Sequence, residues 1–462
     1  MYRKLDEEHY VENPFLAQLQ RLGWKIYRQN KDNPEDVKEI LRFNSSGEPI
    51  YGESVRFRES FREVILEDVL KESIKRINPW IEDDQVNEVV RRITTPTASS
   101  LLEVNREIHD LLLENTSVSE NRKTGERSPT VRFIDFKNPE NNSFIAISQF
   151  KVNVPGTEKH IIPDIVLFVN GLPLVVVECK SPTISDPITE AIEQLMRYSN
   201  RRGEKEGNEK LFWYNLFTIA ACNQIAKYGS ITAEYEHFVE WKDPYPYSLS
   251  DIGEKVITSQ QVLIQGMLSK NNLLEILHTF TIFKEDSKGM IKIVPRYQQF
   301  RAVKKIIKRI KEGKTPEERG GIVWHTQGSG KSLTMMFTVR AMYHDPELAN
   351  FKIVFVTDRK DLEKQLRDTS RSVGYTVNLA DSIEKLKELL KTNTPDLVMG
   401  MIHKFQEREL KKEFPVLNKS PNILIMIDEA HRTQYKLFGA NLRKALPNAT
   451  KIAFTEHTHR KD

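Results

Sequence analysis

The sequence predicts an α/β chain of two successive domains, the first built round a buried β-hairpin and the second round a parallel sheet. Three stretches carry this expectation. Residues 162–180, IPDIVLFVNGLPLVVVECK, hold two β-branched-rich apolar runs on either side of an Asn-Gly turn signal. Residues 321–333, GIVWHTQGSGKSL, pass from a short strand through a glycine-rich turn into Lys-Ser and an apolar helix. Residues 422–431, NILIMIDEAH, are an apolar run that ends in two acids and a histidine.

A chain of 462 residues holds two or three domains. Basic and acidic residues, 69 and 65, nearly balance at a net +4, so any surface for nucleic acid must be local rather than global. The only cysteines, Cys179 and Cys222, lie in apolar strand-like runs. That usage fits a reducing cytoplasm and argues against a disulfide framework or a zinc site. The first residues lack the apolar core of a signal peptide, and no apolar run reaches the length of a membrane span.

Taken in order, Phe15, Leu16, Leu19 and Leu22 at helical spacing predict a first helix that closes at Gly23, with a strand starting near Trp24. Phe57, Phe61, Ile65, Val69 and Ile74 predict a second helix over 54–77, ended by Pro79. A third covers 100–113 and carries Asn105, Glu107 and His109. Strands are expected over 131–136 and 144–154, then the hairpin of 165–169 and 174–177. A helix over 186–200 and a strand over 216–222 follow. The charged loop 201–210 reads as solvated. The domain boundary falls in 255–290, giving 1–259 as the first domain and 260–462 as a linker helix plus the second.

The hairpin makes a chemical statement. Antiparallel pairing brings Asp164, at the start of one strand, beside Glu178 and Lys180 at the end of the other. Alternation puts Glu178 and Lys180 on one face and Cys179 on the opposite face. Two carboxylates with a lysine can hold Mg²⁺ through hard oxygens, and the lysine can position or deprotonate water or neutralise developing charge. A solvated salt bridge at a strand end is the plainer alternative. The stretch resembles the PD-(D/E)xK nuclease motif, and VNGLPLVVVECK resembles in particular the R (restriction) subunit of type I restriction enzymes. The resemblance implies a restriction-endonuclease-like α-β-β-β-α-β core, with Asp164 and Glu178 as Mg²⁺ ligands and Lys180 at the nucleophile or phosphate. It also implies that Gln194 and Tyr198, a Gln-x-x-x-Tyr pair on one helix face, support the site. Glu107 is a weaker candidate, because related nucleases add a carboxylate from the first core helix.

In the second half, glycines let backbone N–H groups fold round phosphate, and the following helix offers its positive end. Gly328, Ser329, Gly330 and Lys331 would cradle ATP, and the Ser332 hydroxyl would hold its Mg²⁺. His325 stands where the strict P-loop pattern has its first glycine. Asp428 would hold the same Mg²⁺, Glu429 would orient the attacking water, and His431 would couple the nucleotide to neighbouring motifs. The combination resembles the first RecA-like lobe of a superfamily 2 translocase. Gln298 falls in the segment that resembles the adenine-recognising element. Residues 354–359 and 401–405 resemble motifs whose strand ends face DNA. The basic helix 304–314 reads as solvated, with DNA contact as the alternative.

After Thr455 the sequence leaves the family's Phe-Thr-Gly-Thr-Pro pattern, which carries an expectation that the motor is incomplete and binds ATP better than it hydrolyses it. Together the motifs resemble an ATP-dependent type I restriction endonuclease subunit. That family pairs with methyltransferase and specificity subunits and cleaves unmethylated double-stranded DNA after translocation. Two alternatives stay open: a DNA-dependent ATPase of another family, and a non-catalytic fragment that only binds DNA, ATP or partner subunits.

Overall fold

The computed structural model describes residues 6–113, 116–286, 289–324, 330–357, 364, 367, 376–401, 413–428 and 433–455. The chain divides into two compact units, Met1–Arg296 and Tyr297–Asp462. The division falls later than the 259/260 boundary expected from sequence. The reason is visible in the hydrogen bonds. The Trp24 indole N–H donates to Leu268 O at 2.9 Å, Gln18 donates to Gln261 O, and the Gln260 amide donates to Val11 O. Further on, Lys292 is buried with its Nζ on Asn105 Oδ1 and Asn215 O, and burial pulls its pKa down to about 7. Residues 260–296 are therefore part of the first unit.

The first unit is an eight-stranded mixed sheet. In chain order its strands are β1 (Lys25–Gln29), β2 (Val37–Phe43), β3 (Pro49–Val55), β4 (Phe144–Ser148), β5 (Ile165–Val169), β6 (Leu172–Cys179), β7 (Phe217–Ala221) and β8 (Ala226–Gly229). Their spatial order is β8-β7-β6-β5-β4-β1-β2-β3. Helix α1 (Asn13–Arg21) continues a π-helical turn, Glu8–Glu12. Helices α2 (Glu67–Ile77), α3 (Asp83–Thr94), α4 (Leu101–Leu113), α5 (Pro187–Tyr198) and α6 (Ser259–Leu268) follow. Every residue of β5 and β6 is buried, which is why these strands read as continuous apolar runs rather than alternating ones.

Several elements differ from their sequence expectation. The helix expected over 54–77 begins only at Glu67, because residues 49–55 pair with β2 and Arg58 is drawn inward over the Phe150 ring. The strand expected over 144–154 stops at Ser148, because Gln149 turns the chain with φ +58°. Of 131–136, only Val131 joins a ladder, a two-residue bridge to Thr116–Ser117. The strands β2 and β3 carry polar, half-exposed sequences with no clean alternation, and helix α3 was not anticipated.

The β5–β6 turn is the tightest constraint in the unit. Asn170 and Gly171 both have positive φ, +50° and +81°, as a two-residue turn that matches strand twist requires. Asn170 is fully buried and spends its side chain on Ser143 N, Phe133 O and Asn142. Gly171 O accepts from Leu66 N at 2.9 Å, seating the hairpin on the start of α2. A Cβ on Gly171 would sit 2.4 Å from Leu66 O.

The second unit is a six-stranded, all-parallel sheet of β9 (Gly321–Trp324), β10 (Lys352–Thr357), β11 (Val377–Ala380), β12 (Leu397–Met401), β13 (Ile423–Asp428) and β14 (Thr450–Thr455). Its order is β9-β14-β13-β10-β12-β11. Parallel registry places Trp324, Thr455, Asp428, Thr357 and Met401 at one edge, the carboxyl ends of the strands where such sheets bind ligands. Among the described residues no helix is long and apolar enough to cross a membrane.

Gly171→Ala should destabilise the first unit by more than the roughly 1–2 kcal/mol of a left-handed non-glycine residue, because the backbone of α2 cannot yield cheaply. Urea unfolding of the full chain would measure this.

Candidate functional site

The hairpin delivers two carboxylates to one place. Asp164 precedes β5, and its Oδ2 accepts from Cys179 N at the end of β6 at 2.7 Å. Glu178, the penultimate residue of β6, is 3% exposed. Lys180 Nζ lies 2.6 Å from Glu178 Oε1, while Glu178 Oε2 is buried and accepts no hydrogen bond among the described residues. The lysine backbone is fixed independently, donating to Ala221 O on the parallel neighbour β7.

Helix α5 supplies the expected pair. It starts on Asp186, which caps Thr189 N, with Pro187 in its first turn. It packs on β6 and β7. Tyr198 is buried, donates to Ile162 O at 3.2 Å, and faces Gln194 and Glu178. Burial, and then the charge of Glu178, raise its pKa. Asp164, Glu178, Lys180, Gln194 and Tyr198 thus stand together as expected.

Glu107 does not join them. It lies on α4, where its carboxylate accepts from Thr97 N and Ala98 N and closes the loop before its own helix. The helix-borne carboxylate at the site is Glu12, in the turn that leads into α1. Glu12 is 2% exposed, pairs with Arg28 at 3.0 Å and accepts from the Gln149 amide at 3.0 Å. Its neighbours in sequence, Tyr10 and Val11, read only as an amphipathic helix, so nothing in the pattern singled it out.

Electrostatics make the cluster costly in the absence of a cation. Burial, and then the charge of Glu7, raise the Asp164 pKa to about 6. Burial raises Glu12 to about 8 against the opposing pull of Arg28. Glu178 is pushed well above its ordinary value by burial and then by Asp164. Lys180 is pulled both ways: burial disfavours its charge, but the surrounding acids, Glu178 first and then Asp164 and Glu7, together outweigh burial and its pKa is raised. Buried like charges with an orphaned oxygen are the donor set that a divalent cation fits. Among the described residues no three acid, histidine or cysteine side chains could cage an ion. A cation there would be held by Asp164 and Glu178 and would need its other ligands from outside the protein.

In the second unit, helix α7 (Lys331–His344) begins on Gly330, whose φ is +83°. Lys331 is buried with Nζ 2.9 Å from Asp428 Oδ1, at the end of β13, and Thr357 Oγ1 reaches Asp428 Oδ2 at 3.4 Å. Ser332 is the second residue of α7 and half-buried. Helix α8 (Tyr297–Glu312), placed before β9 in the chain, carries Gln298, whose Oε1 is buried and accepts no hydrogen bond among the described residues. Its neighbour Gln299 donates to Gly330 O at 3.3 Å. Gly328, Ser329, Glu429 and His431 lie outside the described residues, as do His325, 358–359 and 402–405.

Comparison with known proteins matches a different family model to each half of the chain. The family model described as type I restriction enzyme R protein N terminus matches residues 4–237, and the SWI2/SNF2 ATPase model matches 298–458. The putative type I restriction enzyme MjaIXP endonuclease subunit of Methanocaldococcus jannaschii is 31% identical over 98% of this chain and 42% of its own length. The type I restriction enzyme HindI endonuclease subunit of Haemophilus influenzae is 32% identical, over 97% of this chain and 42% of its own length. The chain spans about two fifths of the length of these relatives.

A group whose folded pKa is raised keeps its stability below the unfolded value and loses it as pH climbs through the folded one. For Asp164 and Glu12 that window runs from about 4 to about 8. In metal-free buffer the melting midpoint of the first unit should therefore fall from pH 5 to pH 8, and excess Mn²⁺ should restore it at pH 8. Glu178→Gln should raise the metal-free midpoint by a few degrees and abolish the Mn²⁺ effect.

Proposed function

Because the chain belongs to the family of type I restriction enzyme R proteins, we propose that it cuts double-stranded DNA at the Asp164–Glu178–Lys180 cluster and binds ATP at the Lys331–Asp428 site. The observation that carries the reading is the convergence of those three side chains with Tyr198 at the open end of a buried hairpin.

The residues divide the work by their surroundings. Asp164, pinned by the Cys179 N–H, and Glu178, with one oxygen unspent, would hold Mg²⁺. Bound there, Mg²⁺ supplies an acidified water and charge stabilisation at the phosphate. Lys180 is held in its charged form by Glu178, so its part is to neutralise a phosphate oxygen rather than to take a proton. Gln194 and Tyr198 fix the wall of the site, Tyr198 through its bond to Ile162 O, next to the Pro163-Asp164 step.

In the second unit, Gly330 and Lys331, with Gly328 and Ser329, would receive the ATP phosphates, and Ser332 and Asp428 would take the accompanying Mg²⁺. Glu429, His431 and Gln298 complete the proposed nucleotide site. Lys331 and Asp428 already touch, so phosphate and cation would each take one member of an existing ion pair. In the assembled enzyme this motor would translocate unmethylated DNA in the cytoplasm, in a complex with methyltransferase and specificity subunits.

Supercoiled plasmid should be nicked by the chain with Mg²⁺ or Mn²⁺, and Glu178→Ala should reduce nicking by at least about a hundredfold. Nicking that persists in the variant would remove the hairpin from the chemistry. Independently, Lys331→Ala should abolish binding of a fluorescent ATP analogue while leaving the nicking of supercoiled plasmid unchanged.

A further inference from the structure

Gln149 occupies a position that its own sequence context does not explain. It ends β4 with φ +58°, a conformation that glycine adopts freely and glutamine rarely. Both backbone donors of the turn are committed to the segment before β5: Gln149 N to Asp164 O at 2.8 Å and Phe150 N to Pro163 O at 3.1 Å. The turn is also braced from behind. Arg58 stacks 3.8 Å from the Phe150 ring centre and donates to Lys151 O, and Arg28 donates to Ser148 Oγ at 3.2 Å. The left-handed residue is thus held in place on both sides, and its side chain is the part left to act.

That side chain points between two carboxylates from different elements. Its Nε2 is 3.0 Å from Glu12 Oε2 and 3.4 Å from Asp164 Oδ1. Only the NH₂ end of an amide can donate to both. Arg28 holds the other Glu12 oxygen, and Cys179 N holds the other Asp164 oxygen. Each carboxylate is therefore oriented by one outside donor and by the shared amide.

We propose that Gln149 is a positioning residue of the nuclease site, its amide setting Glu12 and Asp164 in a fixed mutual orientation before a cation arrives. The inference rests on the reading of Asp164 and Glu178 as the nuclease cluster. Gln149 touches neither substrate nor the reacting atoms; it acts through Asp164. Residues that orient metal ligands from outside typically matter 10–100-fold for affinity or activity.

The test uses the full chain without nucleotide and reads Mn²⁺ binding by electron paramagnetic resonance, beside thermal unfolding in metal-free buffer. Gln149→Gly removes the amide while suiting the positive φ. The variant should unfold no earlier than the wild type yet bind Mn²⁺ about 10–100-fold more weakly. Gln149→Asn tolerates the backbone but is one methylene short, and should bind as weakly as the glycine variant. Plasmid nicking should show a raised Mn²⁺ requirement, with part of the rate recovered at high Mn²⁺. A merely structural residue would lose affinity only in step with melting temperature. Wild-type Mn²⁺ affinity in Gln149→Gly, with binding lost in Asp164→Asn, would overturn the positioning role alone. Unchanged binding in both variants would overturn the nuclease reading and this inference with it.

Discussion

Carboxylates buried beside one another repel, and the first unit is arranged around enforcing that arrangement. Burial of an ionised group costs several kcal/mol even after relaxation. The cost is met by the hairpin itself, whose strands place Ile165, Leu167, Phe168, Val175, Val176 and Val177 out of contact with solvent, each worth roughly 1.5–3 kcal/mol. Lys180 and Arg28 answer part of the charge, and the Cys179 N–H and the Gln149 amide answer part of the hydrogen-bonding demand. What is left over is Glu178 Oε2, buried and accepting no hydrogen bond among the described residues.

The legible part of this was local. Asn170-Gly171 announces its turn because few residues accept two positive φ values in succession, and once the turn is known the pairing of Asp164 with the end of β6 follows. Gln194 and Tyr198 were named through the family resemblance; the four-residue spacing that puts them on one helix face only permits it. Gln149, Arg58 and Glu12 were not legible. Each owes its place to contacts across more than ninety residues of sequence or to a backbone conformation its residue type does not favour. Glu107 misled for the complementary reason: its helix resembles the expected segment, but its carboxylate closes a neighbouring loop. The boundary of the unit was hidden likewise, since Gln260, Leu268 and Lys292 reveal their allegiance only through partners near residues 11–24 and 105.

The parallel sheet of the second unit works by the same economy with fewer parts. Six strands in one direction bring Lys331, Thr357 and Asp428 to a single edge, and the ion pair there is already inside, at 5% and 1% exposure of the two side chains. Here the sequence was more informative. Apolar runs ending in Asp428 and Thr357, and the glycine at 330, follow from backbone geometry that parallel sheets repeat. Gln299 escaped notice because adjacent glutamines look alike in a sequence, and only the helix phase decides which one reaches Gly330.

The helix that bears Glu12 is seated by α6, a segment some 240 residues downstream. Gln260 holds Val11, Gln261 holds Gln18, and Leu268 holds Trp24. Chains are made from the N-terminus at about 5–20 residues per second. Glu12 thus emerges first and waits on the order of ten seconds or more for the residues that anchor it. The hairpin carboxylates are synthesised in that interval, before the last of their acidic companions is in place. The order of synthesis therefore makes completion of the carboxylate cluster one of the last events in the birth of this unit.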